Sequence, residues 1–250
     1  MPLHERRTDY ELWRELGLRL GQADYWPWET LEDAYFYRLP EAYHGLGSYE
    51  EFVHQVRMDF APRQYYKYAQ HGFATPSGKV ELRSSVLEAL GYDPLPHYEE
   101  PPESPFRTPE LAREFPLILV AAGGFMPFYH SEHRQIPTLR LLHYDPWLQI
   151  NPATAAALSI RDGDWVTVET RRGKIRQRAR VTEAVAAGVV YAERGWWFPE
   201  RPGEEPELYG LWESNVNVLT DDDPDACDPL CGSWPTRTLL CRVRKEGEGR

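Results

Sequence analysis

From residue 115 onward, apolar positions fall in short runs and alternations, each broken by Gly, Asp or Pro, which is the pattern of short strands joined by tight turns. Phe115-Pro116-Leu117-Ile118-Leu119-Val120 predicts a buried strand opening onto Ala121-Ala122-Gly123-Gly124. Trp147 to Ile150 predicts a second strand. Asn151-Pro152 then starts a short helix over Ala153 to Leu158, because Asn caps a first turn and proline suits the first helical position. A turn at Asp162-Gly163 precedes a strand with Val166 and Val168 on one face, and Thr170 to Gly173 turns the chain into a polar strand over Ile175 to Val181. Ala186-Ala187-Gly188 leads into a further strand, Val189 to Tyr191. Strand, small helix, turn, strand, hairpin, strand is the order of a compact barrel and not of a doubly wound sheet.

Upstream the periodicity changes. Tyr10, Trp13, Leu16 and Leu20, then Tyr49, Phe52 and Val56, recur at helical spacing and predict two or three helices. Their aromatic face is either a local core or a surface that packs on something else. Pro76, Pro94, Pro96, Pro101, Pro102 and Pro105 then crowd the chain around a short helical stretch from Leu82 to Leu90, and the segment after Gly91 reads as an extended connector. The expected parts are a helical, aromatic-rich segment at 1–75, a proline-rich connector at 76–112, and a barrel at 113–245. The fold class is mainly β with flanking helices, α+β.

With 250 residues, 42% of them apolar, the chain is long enough for one large domain or two modest ones. No run approaches the roughly 20 apolar residues of a membrane-spanning helix, and the start shows no signal-peptide stretch. That reads as a cytoplasmic chain without membrane insertion, although a parent complex could be exported with a partner. The 28 basic and 39 acidic residues give a net charge of -11, which disfavours nucleic acid as a partner, so a polyanionic ligand needs a local basic pocket. Cys227, Cys231 and Cys241 are too few for a disulfide framework. Cys227 and Cys231 also lack the neighbouring thiol or histidine pair that a four-ligand metal site requires.

A set of motifs narrows this picture. Gly123-Gly124 through Arg134, Ile150 to Ile160, Asp162 to Val168, Arg172-Gly173, Ala187 to Val190, Asn217 to Thr220 and Asp228-Pro229 come in one order over about 130 residues. Together they resemble the C-terminal dinucleotide-binding domain of the dimethyl sulfoxide reductase family of molybdopterin oxidoreductases. Gly72 to Leu82 is similar to the stretch that precedes that domain, so the resemblance spans roughly Gly72 to Val243. It implies a six-stranded double-psi β-barrel preceded by the tail of other domains. The implied ligand is a pair of pterin guanine dinucleotides holding one Mo or W atom.

The residues offer matching chemistry. Backbone N–H groups at Gly123 and Gly124 can approach a pyrophosphate without a Cβ in the way. Arg134 can fork onto a phosphate or pterin oxygen, and His130 and Ser131 add donors, although by itself this stretch reads as a solvated loop. Trp196 and Trp197, just after a strand, can stack on a flat ring system or pack the core. Asn217 can present a donor and an acceptor to a pterin or guanine edge, with Thr220 fixing the turn and Asn215 as the alternative should the register differ. Gly124, His130, Arg134 and Asn217 are expected to line one basic, concave face. Arg237 is similar in placement to a basic residue of some members, and Cys241 reads as a small apolar residue of the last strand.

Full-length members also carry, upstream, the residue that ligates the metal and in many cases a four-cysteine iron–sulfur motif. Three cysteines, all late in the chain, exclude that cluster here. The expected role is therefore a component of an oxidoreductase, not complete alone, whose partner is a catalytic large subunit or the domains that precede it. Met1 suits a split subunit or a stand-alone domain. Two other classes remain: an interaction module docking through its aromatic first 70 residues, and a hydrolase using Asp162 and Asp164, which requires paired buried carboxylates.

Overall fold

A computed structural model describes residues 4–42, 48–54 and 64–247; Val56 of the second aromatic stripe lies outside them. The chain divides into two compact units, Met1–Pro96 and His97–Arg250.

The first unit is helical. Its helix Asp9–Arg19 begins with a reciprocal capping box, in which Thr8 accepts from the Glu11 amide while the Glu11 carboxylate receives the Thr8 amide. Gly17 is the buried residue of this helix, and any side chain there would run into the Trp26 indole. Tyr10 and Arg14 both donate to the Trp28 carbonyl at 2.7 Å, tying the helix to the chain that follows. The stripe itself stays open: Trp13, Leu16 and Leu20 are 55%, 43% and 64% exposed. Helices Leu31–Ala42, Tyr49–Val53, Lys67–His71 and Ser85–Ala89 follow. The last of these, inside the stretch expected at 82–90, is capped by Ser84, whose hydroxyl accepts from the Leu87 amide. No helix among the described residues is long and apolar enough to cross a membrane.

The second unit is a closed six-stranded barrel. Its strands are β1 (Leu117–Gly123), β2 (Trp147–Ile150), β3 (Trp165–Glu169), β4 (Lys174–Val181), β5 (Val189–Glu193) and β6 (Leu239–Lys245), in the spatial order β1-β5-β2-β4-β3-β6. β1 with β5 and β2 with β4 are parallel pairs, and the other four pairings are antiparallel. Closure leaves no unpaired sheet edge. This mixed barrel, preceded by helices, is the α+β architecture that the resemblance implies. Asn151 caps helix Pro152–Ala157 as expected, accepting from the Ala153 amide at 3.0 Å, and its amide also donates to the Val185 carbonyl at 2.8 Å.

Inward positions alternate along the strands. Leu119, Leu148, Ile150, Val166, Val168, Val190 and Ala192 are wholly buried, and each large one stabilises the barrel by roughly 1.5–3 kcal/mol. Cys241 is part of this core, and burial pushes its thiol pKa up. The proline-rich stretch joins the barrel through Glu103. Its buried carboxylate accepts from the Leu240 amide at 3.1 Å and from Arg172 at 2.7 Å, with Arg171 at 3.0 Å.

The outer wall is held partly by ion pairs. The Arg242 guanidinium, bonded to both oxygens of Glu169, lowers that carboxyl's pKa, and Arg172 does the same for Asp221. A carboxylate depressed by folding contributes stability above its unfolded pKa and loses it as the pH falls through the lower folded value. The thermal midpoint is therefore expected to fall as the pH drops below about 4. Arg242→Gln should remove the part of that slope belonging to Glu169, which thermal melts across the acid range would show.

Candidate functional site

Strand direction decides which loops can meet. β1, β3 and β5 run one way and β2, β4 and β6 the other. The ends of β1, β3 and β5 therefore share one barrel end with the starts of β2, β4 and β6. Three connections emerge there: the 124–146 loop, the 170–173 hairpin and the 194–238 segment. All ten residues singled out from the sequence lie on these connections or at their edge.

The adjacent glycines do different things. Gly123 is buried at an irregularity in the β1–β5 pairing, and a Cβ there would lie 2.7 Å from both the Ala192 carbonyl and the Tyr191 ring. It is glycine because two backbones approach closely. Gly124 is exposed, and a Cβ there would find nothing nearer than the Arg194 guanidinium at 3.8 Å. Arg194 Nε is buried without a hydrogen-bond partner. An exposed glycine beside a guanidinium whose Nε has no hydrogen-bond partner is the kind of place that suits an anion.

The loop beyond Gly124 folds back onto the chain after β5. Gly195 has φ +68° and sits under the main chain of His130 and Ser131, where a Cβ would come within 3.3 Å. Trp197 is half-buried and donates to the Ser131 carbonyl at 2.6 Å. His130 and Ser131 are exposed at this place.

Arg134 and Trp196 turn inward. Arg134 is 1% exposed, and its guanidinium donates to the His130 carbonyl at 2.8 Å and the Arg194 carbonyl at 3.4 Å. It lies 3.6 Å from Glu193, equally buried, and 4.8 Å from the centre of the Trp196 ring. Burial pulls the Arg134 pKa down to about 10, with Glu193 opposing and Arg140 adding to the shift, so it remains charged at neutral pH. Trp196 is wholly buried, with His143 and Phe128 edge-on to it and Arg140 over its ring. In this arrangement the two side chains form the floor behind the loop and are not on its open surface.

The turn at 215–220 belongs to the same barrel end. Thr170 donates to the Leu219 carbonyl at 3.0 Å, and Gly173 lies under Val218, where a Cβ would meet the Val218 carbonyl at 2.7 Å. Gln177, buried on the inner face of β4, bridges the two halves by donating to the Glu193 carbonyl at 2.8 Å and to the Ser214 carbonyl at 3.3 Å. Asn215 accepts from the Asn217 amide at 3.0 Å, Thr220 donates to the Asn217 carbonyl at 3.2 Å, and Asn217 is exposed.

Sequence reasoning missed Glu193, His143, Arg140, Gln177 and Arg194. A polar residue at an inward register position, such as Gln177 between Ile175 and Ala179, was the available signal. The others gave none, since their partners lie on distant loops. Asp162 and Asp164 are not a buried pair: Asp162 accepts from the Val181 amide, and Asp164 accepts from the Arg161 amide and pairs with Lys245. Cys227 and Cys231 are free thiols beside an open cleft of about 410 Å³ lined also by Glu99, Arg107 and Trp234. Among the described residues no group of three or more His, Cys, Asp or Glu could hold a metal.

The chain folds its second unit as a closed mixed barrel with its long loops gathered at one end, and residues 126–238 match the family model of the molydopterin dinucleotide binding domain. The chain carries that domain, of the kind that ends members of the dimethyl sulfoxide reductase family. It is 36% identical over 224 residues to acetylene hydratase of Syntrophotalea acetylenica, covering 89% of this chain and 30% of that protein. It is 32% identical over 267 residues to the dimethyl sulfoxide/trimethylamine N-oxide reductase of Cereibacter sphaeroides, covering 98% and 32%. The structure of acetylene hydratase from Pelobacter acetylenicus superposes with a TM-score of 0.87 at 34% identity, covering 98% of this chain and 33% of that one. The chain thus spans about a third of the length of these relatives.

Proposed function

We propose that this chain binds the pterin guanine dinucleotide part of a bis-pterin Mo or W cofactor as the C-terminal component of a molybdopterin oxidoreductase, and that the metal ligand and the reacting groups belong to a catalytic large subunit or to the preceding domains. The observation that carries this reading is the convergence of the 124–134 loop and the 215–220 turn on one barrel end, joined through Gln177 and Glu193. When bound, the cofactor supplies the metal-centred redox chemistry. The chain's own residues bind and orient it. The Gly124 amide and Arg194 take the pyrophosphate, while exposed His130 and Ser131 donate beside them. Trp197 offers a ring face, and Asn217 offers both a donor and an acceptor to a heterocycle edge, with Asn215 and Thr220 holding its turn. Gly123, Arg134 and Trp196 shape the groove from behind. No iron–sulfur cluster is assigned to this chain.

The test is to express the chain with and without its genomic neighbours and to measure metal and released guanine nucleotide. Nucleotide in the co-expressed complex, reduced by Gly124→Asp, which sets a carboxylate against the phosphate without disturbing packing, is the expected result. A complex that forms without nucleotide favours a second reading, a non-catalytic module docking a large subunit. That reading draws on the exposed Trp13, Leu16 and Leu20 stripe.

A further inference from the structure

Glu193 ends β5 with 1% exposure, and separate stretches of chain meet its carboxylate. His143 Nε2 lies 2.7 Å from Oε2, and the Trp147 amide donates to the same oxygen at 3.1 Å. The Arg134 guanidinium lies 3.6 Å from Oε1, which has no hydrogen-bond partner of its own. From the other side Gln177 accepts from the Glu193 amide at 3.2 Å and donates to its carbonyl, so the residue's backbone is held as firmly as its side chain. Arg134 carries the contact outward to the carbonyls of His130 and Arg194.

The loop so held has a shape that needs holding. His130 at φ +48° and His133 at φ +72° both occupy the left-handed region, which side chains other than glycine rarely adopt, and they flank the stretch that Arg134 grips. The nearby cation Arg140 is taken by Glu200, which leaves Glu193 as the carboxylate paired with Arg134 among the described residues. A hydrogen-bonded, buried carboxylate that touches the middle of the loop, its end and the start of β2 sets their spacing. We propose that Glu193 is the positioning residue of this barrel end. Acting through Arg134, it fixes the shape of the 128–136 loop, which on the cofactor reading above lines the dinucleotide groove, and through His143 it holds the 140–147 stretch at the start of β2.

Amide hydrogen exchange on the full 250-residue chain tests this. Glu193→Gln keeps the shape and removes the charge, and is expected to speed exchange at 128–136 by about tenfold while β3 and β4 keep their protection. Glu193→Asp, which keeps the charge on a shorter arm, should recover part of the loss. His143→Gln leaves the Glu193–Arg134 pair intact and should loosen 140–147 while 128–134 stays protected; it also serves if Glu193→Gln does not fold. Unchanged protection at 128–136 in Glu193→Gln would overturn the proposal, as would uniform loosening of loop and barrel in the variants that fold. Exchange is read without cofactor, so it decides how the loop is held even if no guanine nucleotide is ever found. Missing nucleotide would count against the cofactor reading alone.

Discussion

Replacing Arg134 by Met should lower the unfolding free energy by about 3 kcal/mol, because it leaves the Glu193 carboxylate in the interior without its guanidinium partner. Urea denaturation of the two chains measures this directly. His143 and the Trp147 amide still face the carboxylate and limit the loss. The double variant Arg134→Met, Glu193→Gln removes both charges and is expected to regain most of that stability, as paired burial of ions often does no better than good apolar packing. A cost below about 1 kcal/mol for Arg134→Met would mean that the pair is not the strong interaction its burial implies. The two variants also separate stability from loop shape, because the double variant regains the former without the bonds from Arg134 to the His130 and Arg194 carbonyls.

The second large effect concerns neighbouring glycines that look alike in the sequence. Gly123→Ala should destabilise by about 2 kcal/mol, since the new methyl meets a backbone carbonyl that cannot rotate away and a Tyr191 ring already packed against the strand. Gly124→Ala should change stability by less than about 0.5 kcal/mol, because its Cβ meets only the end of a flexible arginine. Equal effects at the two positions in thermal or urea unfolding would show that the close approach of β1 to β5 is not what demands glycine at 123. The contrast bears on function as well. Gly123 is occupied with packing, so on the proposed reading the cofactor contact falls to exposed Gly124 and not to Gly123.

Much of the barrel was legible along the chain. The alternation at Val166 and Val168, the apolar run at 117–120 and the Asn151-Pro152 cap are local signals, set by side-chain period and by what a helix start requires, and the strands and helix lie where those signals put them. The ordered motifs from Gly123 to Asp228 likewise identified the kind of domain, because each reflects a short stretch of backbone. The sequence by itself thus determined where most elements lie and the class of ligand to consider. Only the tertiary structure decided which polar residues are exposed at that barrel end and which are buried behind it. Arg134 reads as loop chemistry in one dimension and Trp196 as either a stacking ring or core, and both are buried where segments about 60 residues apart in sequence meet. Glu193, Gln177 and His143 acquire meaning only when closure of the barrel brings three connections to one end. Burial and pairing of charges depend on distant chain segments meeting, and no local pattern of residues encodes that distance.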